Sequence, residues 1–115
     1  MLRGEVRLVD LNPARGSEAN KLRPAIIISN DRANSTAARL GHGVVTVVPL
    51  TSNVSKVFPF QVLLPAGLTG LQVDSKAQAE QVRSVAVERL GKVLCRLSPA
   101  LLREVDEALR LHLQL

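Results

Sequence analysis

The sequence predicts a small twisted β-barrel with one helix packed on it, and three observations carry that prediction. Five or six short stretches read as strands, turn residues separate them, and a long amphipathic pattern closes the chain. At 115 residues the chain forms one domain, 1–115, large enough for a core without disulfides or metals.

Glu5 to Leu11 alternates polar and apolar residues, the period-2 pattern of a half-buried strand, and Asn12-Pro13 breaks it. A polar loop, Arg15 to Arg23, then delivers Arg23-Pro24 to the apolar run Ala25–Ser29, which is expected to be covered on both faces. Pro24 restricts Arg23 to extended geometry, so its guanidinium leaves the backbone in a limited direction. Asp31 is expected to cap a short helical segment reaching Leu40, and Gly41-His42-Gly43 is a turn. Val44–Val48 is a β-branched strand closed by Pro49, and the polar stretch Leu50-Thr51-Ser52-Asn53 follows. Phe58–Leu64 reads as an edge or bulged strand because of Pro59, and Pro65–Gly70 as a turn.

Residues 71–85 are ambiguous. Ala77–Gln81 has helix propensity, whereas Gln81–Val85 alternates like a strand. A turn over Val87–Gly91 and a last strand over Lys92–Leu97 come next. Ser98-Pro99 then supplies an N-cap and a first-turn proline. Leu102, Val105, Ala108, Leu109, His112 and Leu113 make the inward stripe of a terminal helix, and Asp106 and Arg110 are spaced for an i,i+4 ion pair. Leu111 and Leu115 lie off that stripe and point to a second contact, such as a partner subunit.

The net charge is +5, from eleven arginines and four lysines against ten acidic residues. Residues 1–60 hold eight basic and four acidic side chains, so most of the excess lies in the half containing the Arg23 loop. Arginine's planar fork matches phosphate, which makes a polyanion the first partner to consider. With Phe58 and Phe60 the only aromatics, recognition led by base stacking is disfavoured, and both rings are expected in the core. No apolar run spans a membrane and the start lacks a signal-peptide pattern, so a cytoplasmic location is expected. Cys95 sits in an apolar run and reads as a small core residue.

Several chemistries are excluded by residue type and spacing. His42, His112 and Cys95 have no metal-ligand spacing, and no phosphate-binding glycine loop or Gly-x-Ser-x-Gly is present. What remains beside loops is Arg23, Thr51, Ser52, Gln81 and Arg83. Such groups stabilise charge on a phosphoryl group without metal, and RNA brings its own nucleophile, the 2′-OH. That suits RNA cleavage better than DNA hydrolysis.

Six segments resemble the MazF/PemK (Kid) toxin family: Arg3-Gly4-Glu5-Val6, Val9–Pro13, Arg15–Glu18, Arg23-Pro24 leading to Ile28-Ser29-Asn30, Val48–Ser52, and Glu80–Val85 followed by Arg89-Leu90-Gly91. They run in order through nearly the whole chain. The resemblance implies an SH3-like barrel of the MazF/PemK/CcdB type acting as a homodimer. It implies a sequence-specific, metal-independent endoribonuclease without cofactor, cleaving single-stranded mRNA in a groove across the dimer interface. A MazE-like antitoxin with an acidic C-terminal segment would neutralise it, and operator DNA would be met only through that antitoxin. The family's catalytic arginine and threonine fall on Arg23 and Thr51. The same resemblance implies substrate contacts from Ser17, Glu18, Lys21, Ser52, Asn53, Gln81 and Arg83. Two departures stand out: no glycine lies close to the arginine in the Gly16–Leu22 loop, and Lys76-Ala77-Gln78-Ala79 is less apolar than the family's strand there.

Two rivals are weaker. A gyrase poison of the CcdB type acts through C-terminal aromatics, whereas this chain ends His112-Leu113-Gln114-Leu115. A peptide-binding SH3-like module presents an aromatic-lined groove, which two phenylalanines do not build.

Overall fold

The β-branched run from Val44 forms the strand on which the sheet is built. In the computed structural model, which describes residues 1–115, this is β3 (Val44–Thr51). One edge of β3 pairs with β2 (Leu22–Ile27), and β1 (Glu5–Asp10) and β7 (Leu90–Arg96) follow outward. Its other edge is divided: β6 (Arg83–Ala86) pairs with residues 44–47, and β5 (Ser75–Gln78) with Leu50 and Thr51. Strand β4 (Gln61–Leu64) lies beyond β5, and every pairing in the seven-stranded sheet is antiparallel.

The ladder does not close. Strand β7 pairs only with β1 and β4 only with β5, so the expected barrel is an open sheet. Alternation gives that sheet two apolar faces. One buries Val6, Ile26, Val48, Leu50, Leu64 and Ala77 together with the terminal helix α3 (Pro99–Leu113), which crosses β4 and the 3₁₀ turn Ala79–Gln81. The other buries Val9, Ala25, Ile27, Val45, Val47 and Val85 beneath Leu11 and Ala37 of helix α1 (Asp31–Leu40). Coverage of Ala25–Ile27 on both sides agrees with its unbroken apolar run.

Several local expectations are corrected. The N-cap of α1 is Asn30, whose side chain accepts from Ala33 N; Asp31 begins the helix and accepts from Arg3 N at 2.6 Å. The strand expected from Phe58 starts only at Gln61, because Pro59 lacks an N–H and Gln61 Oε1 takes the Phe58 N–H into a turn. Pro65–Gly70 contains the single-turn helix α2 (Ala66–Thr69). The ambiguous stretch is strand, 3₁₀ turn, strand: pairing with β3 and β4 overrides the helix propensity of Ala77–Gln81. The last strand begins at Leu90. In α3 the buried stripe is Leu101, Val105, Ala108 and Leu109, while His112 and Leu113 are exposed on the last turn. Asp106 pairs with Arg3 at 2.5 Å and Arg110 with Glu107 at 3.4 Å, not with each other.

Candidate active site

The second apolar face ends in a polar row. Ala25 faces Pro49 at the last paired position of β2 and β3, and Arg23 and Thr51 lie two residues beyond it on their own strands. Val9 stands opposite Arg23, Lys76 opposite Thr51, and Leu63 opposite Lys76. Directly opposed residues share a face with Cβ atoms about 4.5–5.5 Å apart. Arg23 and Thr51 line one cleft of about 280 Å³ with Lys21, Ser52 and Ser75.

The Arg23 guanidinium is half-buried and held from within its own loop. Its Nε donates to the Asn20 carbonyl at 2.7 Å and its NH2 to Asn20 Oδ1 at 3.3 Å. None of the chain's three ion pairs involves it, so its charge is aimed but not neutralised. Thr51 Oγ1 accepts from Asn53 N at 3.3 Å, leaving the hydroxyl proton without a protein acceptor. Asn53 Oδ1 in turn accepts from Ser55 N and Oγ, which shapes the exposed loop beyond Ser52. Lys21 takes a left-handed φ of 67°, held by its N–H on Asn12 Oδ1 and its carbonyl under Leu11 N. Glycine adopts this conformation without a steric penalty, whereas Lys21 carries backbone strain two residues before Arg23.

The remaining sequence candidates assemble elsewhere, as a clasp on the loop between β1 and β2. Gln81 Nε2 donates to the Ser17 carbonyl and its Oε1 accepts from Ala19 N, both at 2.9 Å. Arg83 NH1 donates to the Leu11 carbonyl at 3.4 Å. Glu18 Oε1 accepts from Arg15 N at 2.6 Å, closing the turn around Gly16. These side chains spend their hydrogen bonds on loop backbone. They do not line the Arg23 cleft.

The sequence profile described as "PemK-like, MazF-like toxin of type II toxin-antitoxin system" matches residues 2–113. The chain belongs to that family. It is 67% identical over 115 residues to endoribonuclease MazF9 of Mycobacterium tuberculosis (strain ATCC 25618 / H37Rv), covering 100% of this chain and 98% of that protein. Among solved structures it is similar to MazF of Deinococcus radiodurans, with TM-score 0.83 and 28% identity over 100% of this chain and 97% of that one. It is also similar to a mycobacterial endoribonuclease in complex with its cognate antitoxin, with TM-score 0.76 and 25% identity over 100% and 96%.

Sequence reasoning missed three features of this MazF-like site. Asn20, which aims Arg23, carried no signal beyond loop composition. Arg89 joins the clasp by donating to the carbonyls of Asp10, at 3.1 Å, and Asn12. Phe58 is exposed rather than core: its ring stacks on Phe60 with centroids 5.3 Å apart, and Lys56 Nζ sits 4.7 Å above it. The largest cavity, about 910 Å³, lies between β4 and α3 and contains Arg103, Glu104, Glu107 and Arg110. Asp106 lines it too, so its three carboxylates outnumber its two arginines, and the smaller, carboxylate-free cleft is the better phosphate site. No three His, Cys, Asp or Glu side chains are grouped to hold a metal ion. No helix is long and apolar enough to cross a membrane.

Proposed function

We propose that this MazF-type endoribonuclease toxin cleaves single-stranded RNA at the Arg23–Thr51 cleft. Family membership and the full-length likeness to an endoribonuclease support the reaction class and favour it over a CcdB-type gyrase poison. One observation carries the assignment of the site: a guanidinium and a hydroxyl lining one cleft, with no carboxylate paired to the guanidinium.

In this reading the scissile phosphate sits between Arg23 and Thr51. The adjacent 2′-OH attacks phosphorus, the P–O5′ bond breaks, and the products are a 2′,3′-cyclic phosphate and a 5′-hydroxyl. Arg23 is a permanent cation and acts by pairing with the phosphorane oxygens as their charge grows. Thr51 orients the phosphate through its free O–H. Lys21, Ser52 and Asn53 contact the flanking backbone, while Ser17, Glu18, Gln81 and Arg83 shape the loop that borders it. Glu18 is engaged by Arg15 N, which favours a loop-holding role over that of general base. The chain works as a cytoplasmic homodimer, a cognate antitoxin covers the RNA groove, and operator DNA is reached only through that antitoxin. Solved relatives in complex with antitoxins support this partnership.

The test is to incubate a long transcript with the purified protein in excess EDTA and map the new 5′ ends. Cuts at a recurring motif, carrying 5′-hydroxyls, are expected. Intact RNA, or cleavage strictly requiring a divalent ion, would overturn the reading.

A further inference from the structure

Lys76 is the least expected residue of the polar row. It is buried at 8% exposure in β5, directly opposite Thr51, on the strand that is less apolar than the family resemblance implies. Its ammonium has three N–H donors, and a single protein acceptor meets them: the Lys56 carbonyl at 2.6 Å. The rest of its support is the Phe58 ring, whose centroid lies 5.9 Å away. Lys56 Nζ occupies the same ring at 4.7 Å, so two ammonium groups converge on one aromatic side chain. Neither is paired with a carboxylate. Burying an ammonium with so little compensation is costly. An arriving anion would relieve that cost.

Position identifies the anion. Adjacent strands are about 4.7–4.9 Å apart, so Lys76 is one strand removed from Thr51 and two from Arg23, on the same face. A strand of RNA with its scissile phosphate between Arg23 and Thr51 would carry its next phosphate toward the Lys76 side. We propose that Lys76, Lys56 and the Phe58 ring form a second phosphate subsite that holds the phosphodiester neighbouring the cleaved one. This rests on the ribonuclease reading above. Phe58 acts as a support that keeps the two ammonium groups together, and Gln61 fixes it by accepting from the Phe58 N–H and donating to Glu80 Oε2 at 2.7 Å. The subsite sets register along the RNA, adding affinity that a lone scissile phosphate does not recruit.

The experiment is a substitution cycle read by binding. A short RNA is made uncleavable by a 2′-deoxy sugar at the cut site, and either flanking phosphate is replaced by a neutral methylphosphonate. Wild-type protein should lose about ten-fold in affinity for one of the two neutralised oligonucleotides. Lys76→Met keeps the apolar stem, and with it the same neutralisation should cost less than about two-fold. Exposed Lys56→Gln guards against misfolding of the first variant and should lower the salt slope of log Kd by about 0.7, the value for one phosphate contact on a single strand. An equal methylphosphonate penalty in wild type and Lys76→Met, or an unchanged slope in Lys56→Gln, overturns the subsite. Cleavage of the unmodified RNA by wild-type protein in EDTA, run in parallel, tests the underlying reading separately.

Discussion

The two arginine-bearing regions of this face use the same chemistry for opposite ends. In the clasp, Gln81 commits both ends of its amide to the loop between β1 and β2, while Arg83 and Arg89 each reach nearby backbone carbonyls through NH1 alone. In the cleft, Arg23 is steadied by Asn20 alone and Thr51 by one N–H, so both retain hydrogen-bonding capacity toward a ligand. Hydrogen bonding therefore separates Gln81, which is committed to the fold, from Thr51; for the arginines the difference is location, since Arg23 lines the cleft and Arg83 does not. Residue type does not separate them: Arg83 and Arg23 both lie on strands that pair with β3 or run beside it.

The contrast predicts which substitutions harm chemistry and which harm structure. Arg23→Ala should reduce single-turnover RNA cleavage by on the order of 10²–10³-fold or more, with an unchanged thermal melt, since no other element relies on its guanidinium. Retained activity would erase the distinction. Thr51→Val keeps the β-branched shape and should cost about ten- to a hundred-fold in kcat, again with little loss of stability. Gln81→Ala should behave oppositely. Two backbone partners are released, so stability should fall by about 1–2 kcal/mol in denaturant unfolding, and KM should rise more than kcat falls. A kcat defect as large as that of Arg23→Ala would move Gln81 into the cleft. Lys21→Gly relieves a left-handed lysine and should change stability by no more than about 1 kcal/mol, while weakening RNA binding through the lost charge. The smallest effect concerns Cys95, half-buried against the larger apolar cluster, where burial pushes the thiol above its ordinary pKa. It should react with iodoacetamide at neutral pH more slowly than free cysteine does, and a faster rate would mean that β7 frays from the sheet.

Much of the fold was legible because it rests on local pattern. Val44–Val48 could hardly be anything but a strand, and Ser98-Pro99 announced α3 through a cap that Ser98 does supply, accepting from Leu101 N. Residues 71–85 were not legible, since their helix propensity is outweighed by pairing with strands distant in sequence. Phe58 was misplaced for a related reason. Apolarity predicts burial on average, but this ring, in the segment before β4 and approached by the Lys56 and Lys76 ammonium groups, stays exposed.

The sequence by itself determined most element types outside residues 71–85 and the basic half of the chain, because these follow from periodicity and composition, and it nominated Arg23 and Thr51 through the family resemblance. Only the tertiary structure decided that the sheet stays open, that Gln81 and Arg83 grip a loop, and that Lys76 joins the row containing Arg23 and Thr51. The reason is register: which side chains meet depends on how strands far apart in sequence align, and one residue of slip would turn each of them to the opposite face.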